Sequence, residues 1–217
     1  MSEENLARRL TVYLVTDQRP QVPSLLQVIE EALKGGATAV QLRRKQDEGK
    51  QLMEIGQAIR ALTRHYQALY FVDDRVDIAL LTEADGVHLG QSDIGCSDAR
   101  KLMGSKLIGI SVRNLKEARR AWDEGADYLG VGSIYPTHSK DDAKLTGLAA
   151  LAMIHRQIPT LPLVGIGGIQ TANAAKVLKA GAQGVAVISA IMEAADPSRV
   201  ARSLKELCGA LSSPPSG

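Results

Sequence analysis

Gln41-Leu42-Arg43-Arg44-Lys45 is the first stretch whose residue types could do chemistry. Side chains of an extended segment alternate between two faces, so Gln41, Arg43 and Lys45 share one face while Leu42 and Arg44 share the other. Arginine offers phosphate oxygens a planar fork and lysine offers a point charge. A solvated basic loop would explain the cations equally well, but Gln41 lies inside an apolar run. Two acidic stretches follow, Asp73-Asp74-Arg75 and Gly90-Gln91-Ser92-Asp93. One aspartate after a strand is usually a helix cap. Carboxylates delivered by two neighbouring strands to one mouth suit Mg²⁺, which takes one or two carboxylates and completes its octahedron with water and substrate phosphate.

Further along, Ser111 supplies a hydroxyl. Tyr135-Pro136-Thr137-His138-Ser139-Lys140 forms a hydroxyl-rich loop with one lysine, longer than a connector needs and suited to closing over an anion. Lys144 reads equally as surface charge. Val164-Gly165-Ile166-Gly167-Gly168-Ile169 and Val185-Ala186-Val187-Ile188-Ser189 each end an apolar run in small residues ahead of a helical segment. Backbone N–H groups at a helix start bind anions, and glycine lets the backbone approach a ligand closely. Either turn alone reads as ordinary packing; the pair, closing a repeated pattern, points to a phosphate cradle. Gly130-Val131-Gly132 lacks the third glycine and helix start of a dinucleotide fingerprint. His65, His88, His138 and His155 have no metal-ligand spacing and read as structural or surface residues, and no Ser-His-Asp pattern stands out.

Eight short apolar or β-branched runs position these residues. Strands are predicted over 11–16, 38–42, 69–72, 86–89, 107–112, 128–131, 162–166 and 185–188. Helical periodicity predicts helices over 24–34, 48–66, 75–82, 97–103, 115–124, 147–157, 171–180 and 197–208. An alanine followed by apolar residues three and five positions on recurs at Ala37-Val40-Leu42, Ala84-Val87-Leu89, Ala126-Leu129-Val131 and Ala182-Val185-Val187. These mark the even-numbered strands, and each apolar pair occupies one strand face. Gln41 and Arg43, His88 and Gly90, Gly130 and Gly132, and Ala186 and Ile188 face the other way, towards a barrel interior and its mouth. Eight βα units with quarter repeats read as a single-domain α/β protein, a (β/α)₈ TIM barrel. An open doubly wound sheet gives no reason for the repeat. The expected division is an N-terminal extension at 1–10, the barrel at 11–210 and a disordered tail at 211–217.

Bulk properties agree with one soluble domain. The chain has 217 residues, 45% of them hydrophobic and 23% charged, with a net charge of +2 that gives no reason to expect a nucleic-acid or membrane-surface partner. Aromatic residues are only 3%, too few for base-stacking platforms. Cys96 and Cys208 match no redox or metal spacing and fit reduced thiols in a cytoplasm. The first ten residues carry both charges and lack the apolar core of a signal peptide. No surface stretch specifies a homo-oligomer, although barrels of this kind often self-associate. Taken together, the mouth offers two carboxylate positions, several cations and a backbone cradle. That set suits two phosphorylated groups at once, a Mg²⁺-bound pyrophosphate and a phosphate at strands seven and eight.

The chain also resembles the thiamine-phosphate synthase family. The matching segments are Tyr13 to Asp17, Gln41 to Lys45, Asp74 to Asp77, Gly86 to Asp93, Tyr128 to Gly132, Tyr135-Pro136-Thr137 with Ser139-Lys140, Gly165 to Ile169, and Val187 to Ile191. They cover nearly the whole barrel in order. The resemblance implies a cytoplasmic transferase, a thiamine-phosphate diphosphorylase. It would join 4-amino-5-hydroxymethyl-2-methylpyrimidine pyrophosphate to a (carboxy)thiazole phosphate, pyrophosphate leaving before the thiazole nitrogen attacks. By the same resemblance, Gln41 and Arg43 hold the pyrimidine, and Arg43, Lys45, Ser111 and Lys140 hold the pyrophosphate and carry the catalysis. Asp74 and Asp93 bind Mg²⁺, and Thr137, Ser139, Gly168, Ile188 and Ser189 hold the thiazole phosphate. Asp73 stands where the family usually has an asparagine that helps bind the diphosphate; an ionised carboxylate cannot donate a hydrogen bond. Two relatives in fold remain as alternatives. A thiazole tautomerase would want an acid/base histidine after strand five, where this chain has Ser111-Val112-Arg113-Asn114. A non-catalytic thiazole-phosphate sensor would not need paired carboxylates. A generic phosphate-binding barrel isomerase stays open on fold alone.

Overall fold

The computed structural model describes residues 2–19, 22–137 and 145–212. Eight parallel strands close into a barrel in sequence order: β1 (Val12–Val15), β2 (Ala39–Leu42), β3 (Leu69–Asp73), β4 (Gly86–Leu89), β5 (Leu107–Val112), β6 (Tyr128–Val131), β7 (Leu163–Ile166) and β8 (Gly184–Val187). Closure comes from β1 pairing with β8, Tyr13 opposite Ala186. Around the strands lie α2 (Val22–Gly35), α3 (Gly49–His65), α4 (Val76–Leu81), α5 (Cys96–Met103), α6 (Leu115–Asp123), α7 (Gly147–Gln157), α8 (Thr171–Lys179) and α10 (Pro197–Ser212). Every predicted strand and helix is present, with ends shifted by a few residues at most. The predicted tail begins at 211, but Leu211 and Ser212 close α10; residues 213–217 lie outside the described residues.

Two helices carry no counterpart in the sequence reading. The first, α1 (Glu3–Arg9), begins at Ser2, whose hydroxyl accepts the Asn5 N–H. Its acidic first turn and basic last turn match the helix dipole. Leu6 and the following Leu10 are buried in one cluster with the inner barrel residues Tyr13, Leu69 and Tyr128, so residues 2–10 plug the barrel floor. Each such burial contributes roughly 1.5–3 kcal/mol. The second, α9 (Ser189–Met192), is a single turn directly after β8.

The quarter repeat has a structural cause. Val40, Leu42, Val87, Leu89, Leu129, Val131, Val185 and Val187 all face outward into the core under the helices. The residue after each repeat alanine reaches sideways to the start of the preceding odd-numbered strand. Thr38 Oγ1 accepts the Val12 N–H at 3.1 Å, Asp85 Oδ2 that of Tyr70 at 2.7 Å, Asp127 Oδ2 that of Ile108 at 2.7 Å and Gln183 Oε1 that of Leu163 at 2.7 Å. Each satisfies a backbone donor at a strand start that would otherwise be unpaired. These four polar residues are therefore stability devices at the end of the barrel away from the chemistry.

Inside the barrel, Tyr13, Phe71 and Tyr128 fill the lumen. Ring centroids are 5.4 Å apart for Tyr13 and Phe71 and 5.3 Å for Phe71 and Tyr128, ordinary aromatic packing distances. Glycine makes the room: a Cβ at Gly109 would fall 2.1 Å from the Tyr128 ring. The packed lumen leaves space only above it, at the carboxyl ends of the strands.

Candidate active site

That space is a cavity of about 390 Å³ at the barrel mouth, within the size range of a small-ligand site. Gln41, Arg43, Lys45, Asp73, Asp74, Asp93, Ser111, Thr137, Gly168, Ile188 and Ser189 all line it, as the sequence reading expects. Ser139 and Lys140, together with His138 and Lys144, lie outside the described residues.

Strand parity delivers the basic side. Gln41 is buried, with Nε2 donating to the Tyr13 hydroxyl at 3.0 Å. Arg43 is fixed at its backbone, its N–H donating to Thr16 Oγ1 at 2.8 Å while the Thr16 hydroxyl donates to the Arg43 carbonyl at 3.1 Å. Arg44 faces the other way and is buried in the loop, pairing with Asp47 and donating to the Arg19 carbonyl at 2.8 Å. It is a structural cation, as alternation requires.

The carboxylates sit against this basic side. Asp73 Oδ2 is 3.6 Å from Arg43 Nε, and Asp74 Oδ2 is 3.1 Å from Lys45 Nζ. None of the three aspartates caps a helix: the N-cap of α4 is Arg75 and that of α5 is Gly95. Asp93 Oδ2 instead accepts the Gly90 N–H at 2.6 Å, which folds the loop after β4 back towards the mouth. Asp74 has φ +59°, a left-handed conformation costly for most side chains, and its N–H bonds the His88 carbonyl at 2.9 Å. Held strain of this kind gathers at functional sites.

Burial, and then hydrogen bonding with Asp93, push the Asp74 carboxyl above its ordinary range, while Lys45 pulls it down. Lys45 experiences the reverse balance: burial lowers its pKa, but the Asp74 hydrogen bond and charge raise it overall. Two carboxylates facing one another, with Lys45 paired to Asp74, make a hard-oxygen donor set short of positive charge. That fits a Mg²⁺ ion held by two protein carboxylates, with its remaining positions left to water and phosphate. Among the described residues no three or more His, Cys, Asp or Glu are grouped so that they could hold a metal ion, so a cage built wholly from protein ligands is not what they form.

Across the cavity, β7 and β8 supply the second half. Gly167 and Gly168 have φ +98° and +62°. A Cβ at Gly167 would fall 2.1 Å from Ser133 Oγ, and one at Gly168 would fall 2.4 Å from the Pro136 carbonyl oxygen. Both positions thus require glycine for conformation and for space. The α9 turn begins at Ser189 on the cavity wall, the barrel arrangement in which loops after strands seven and eight and a short extra helix bind phosphate. Arg19, paired with Asp17, donates to the Met192 carbonyl and ties this turn to the end of β1.

The cavity also contains residues that sequence reasoning passed over or did not place. Arg113 shares its strand face with Ser111 and adds a cation. Gln91, Ser92 and Ser133 line the wall. His88, read as structural or surface, lies buried in the barrel, its Nδ1 2.9 Å from the Tyr128 hydroxyl and its Nε2 2.9 Å from Ser111 Oγ. Parity placed His88 inward; what the sequence lacked was its partners.

Known proteins share this fold and much of this sequence. A family model described as thiamine monophosphate synthase matches residues 12–191. A thiamine-phosphate synthase of Pyrococcus furiosus is 46% identical over 94% of this chain and 97% of its own length. One from Moorella thermoacetica is 52% identical over 84% of this chain and 87% of its own. A solved structure of a thiamine phosphate pyrophosphorylase from Pyrococcus furiosus superposes with a TM-score of 0.88 at 44% identity, covering 96% of this chain and all of that one. A 3-hexulose-6-phosphate synthase shares the fold alone, at 21% identity and a TM-score of 0.69 over 91% of this chain and 99% of that one.

Proposed function

This chain belongs to the thiamine monophosphate synthase family, and from that membership we propose how its own residues carry the reaction. It is a transferase, a thiamine-phosphate synthase, acting on small phosphorylated substrates: a pyrimidine pyrophosphate and a thiazole phosphate give thiamine phosphate and pyrophosphate. No helix among the described residues is long and apolar enough to cross a membrane, and we take the site of action to be the cytoplasm.

One observation carries the assignment of roles. A single cavity has Arg43, Lys45, Asp74 and Asp93 on one side and the Gly167-Gly168 turn with Ser189 on the other. The first group suits a pyrophosphate and the second a monophosphate. Gln41 would hold the pyrimidine ring, Arg43, Lys45 and Ser111 the pyrophosphate, with Lys140 from the loop after β6. Thr137, Ser139, Gly168, Ile188 and Ser189 would hold the thiazole phosphate. Asp74 and Asp93 would hold Mg²⁺, whose charge lowers the cost of the pyrophosphate leaving.

The pyrimidine-CH₂–O bond breaks and its electron pair departs with pyrophosphate. The thiazole nitrogen lone pair then forms the new C–N bond at the methylene carbon. Negative charge grows on the leaving oxygens, so Arg43, Lys45 and the Ser111 hydroxyl bind the transition state more tightly than the ground state. The aromatic floor of Tyr13, Phe71 and Tyr128 closes the cavity from below, which keeps competing water from that side of the methylene carbon. The cradle across the cavity fixes the second substrate so that its nitrogen meets a bound electrophile.

Mixing the purified protein with the two substrates, with Mg²⁺ or with excess chelator, and following thiamine phosphate by mass spectrometry tests this reading. Product only with Mg²⁺ supports it; equal product in chelator overturns the metal role, and no product overturns the reading as a whole.

A further inference from the structure

Five side chains from five strands form one hydrogen-bonded line across the barrel beneath the cavity. Gln41 Nε2 lies 3.0 Å from the Tyr13 hydroxyl, which lies 2.9 Å from the Tyr128 hydroxyl. That hydroxyl is 2.9 Å from His88 Nδ1, and His88 Nε2 is 2.9 Å from Ser111 Oγ. The line joins the two polar residues assigned above to the pyrimidine and the pyrophosphate, through Tyr13, Tyr128 and His88.

Donor counting gives the line a direction. An amide nitrogen only donates, so Tyr13 accepts from Gln41, and among the described residues the Tyr128 oxygen at 2.9 Å is the remaining hydrogen-bond partner for its one proton. Tyr128 accepts that proton and sends its own to His88 Nδ1. A ring nitrogen that accepts a hydrogen bond carries no proton, so the proton of the neutral imidazole is on Nε2, where it is donated to Ser111 Oγ. Ser111 is then an acceptor on its inner side, and its own proton is directed to the cavity. At the other end, an amide with Nε2 turned inward presents Oε1 outward. Burial pushes both phenols far above their ordinary pKa, so both stay protonated and can serve as donors.

The packing holds the line rigid. Tyr128 occupies the space left by Gly109, and a Cβ at Gly130 would fall 2.9 Å from His88 Cε1. Gly109 lies opposite His88 across β4 and β5, and Gly130 lies opposite Ser111 across β5 and β6. Both glycines therefore serve the rings beside them.

We propose that His88, held as the Nε2–H tautomer by Tyr128, is a positioning residue that turns the Ser111 hydroxyl into a donor aimed at the leaving pyrophosphate, while the same line turns the Gln41 carbonyl to accept from the pyrimidine amino group. This rests on the roles given above to Ser111 and Gln41. The tautomer of a histidine is set by what its other nitrogen bonds, and here that partner is a buried phenol. A fixed donor strengthens a bond that is worth most when its acceptor is charged.

The test has two readouts. In ¹⁵N-histidine-labelled protein near neutral pH, with His88→Gln used for assignment, long-range ¹H–¹⁵N spectra should show His88 protonated at Nε2 only. Protonation at Nδ1, alone or with Nε2, overturns the proposal whether or not the protein is a synthase. Tyr128→Phe should release the tautomer preference and lower kcat/KM about tenfold or more, the value of one hydrogen bond to a charged group. In the Ser111→Ala background the same substitution should cost less than threefold, because its route to the pyrophosphate is gone. Full multiplicative losses in the double variant overturn the coupling. A wild-type protein that makes no product while keeping the Nε2–H signal would instead count against the functional reading.

Discussion

Gly168→Ala perturbs the proposed thiazole-phosphate cradle without altering charge. At φ +62° the residue is in left-handed backbone, which costs a side-chain-bearing residue about 1–2 kcal/mol. The added methyl would lie 2.4 Å from the Pro136 carbonyl oxygen and 2.8 Å from Tyr135 Cβ, whereas real Cβ contacts essentially never fall under 3.0 Å. The loop carrying Thr137 must therefore retreat by about 0.6 Å, the gap between those two distances. A 1 Å misplacement can cost about 10²-fold in rate, so a shift of this size should cost about tenfold. Steady-state kinetics with each substrate varied in turn should show kcat/KM for the thiazole phosphate lowered about tenfold, with KM for the pyrimidine pyrophosphate within twofold of wild type. Circular dichroism at the assay temperature checks that the variant is folded. An unchanged kcat/KM for the thiazole phosphate in folded protein would refute the cradle.

Three further perturbations follow from the same geometry. Asp73→Asn removes a carboxylate 3.6 Å from Arg43 Nε and supplies an amide donor, so KM for the pyrimidine pyrophosphate should fall severalfold; a rise would mean that Asp73 helps to hold the substrate or its metal. Asp74 has a raised pKa in the fold, so its contribution favours the folded state at low pH and is lost as pH rises through that folded value. Metal-free Asp74→Asn should accordingly melt above wild type at neutral pH, with the gap closing on acidification, and saturating Mg²⁺ should raise the wild-type Tm alone; a less stable metal-free variant at neutral pH would contradict this. Cys96 and Cys208 are buried, and burial pushes both thiols up to about 11. Neither should react with a thiol reagent at pH 8 until the protein unfolds, and rapid labelling of the native protein would show that the barrel opens locally.

Much of the fold was legible because the strands are buried on both faces, and the outward face repeats. The alanine-spaced quarter repeat set strand count and parity together, and parity assigned Gln41, Arg43 and Lys45 to the mouth while excluding Arg44. The α9 turn left no trace because four residues are too few to show a helical period. The α1 helix did leave one, Ser2 followed by Glu3 and Glu4, with Arg8 and Arg9 at the far end, but the segment reads only as an N-terminal extension with charges of both signs. The repeat's second position was also readable, since Thr38, Asp85, Asp127 and Gln183 each follow a repeat alanine. Their role is a bond to a neighbouring strand, which depends on the parallel pairing of consecutive strands. His88 shows the same limit. Its inward parity was evident, whereas its bonds to Tyr128 and Ser111 depend on residues 40 and 23 positions away. Glycines 109 and 130 were the available clue, since a glycine inside a strand often marks a close approach.

The most direct test compares initial rates of thiamine phosphate formation by wild type and Asp93→Ala across a Mg²⁺ titration, with both substrates saturating. The paired-carboxylate site requires a wild-type rate that rises with Mg²⁺ to a plateau. It also requires a folded Asp93→Ala protein whose rate is lower by a hundredfold or more, the order expected for loss of a main electrostatic contribution to the transition state, at every Mg²⁺ concentration. A variant as fast as wild type, with the same Mg²⁺ dependence, would place the metal and the chemistry elsewhere in the cavity.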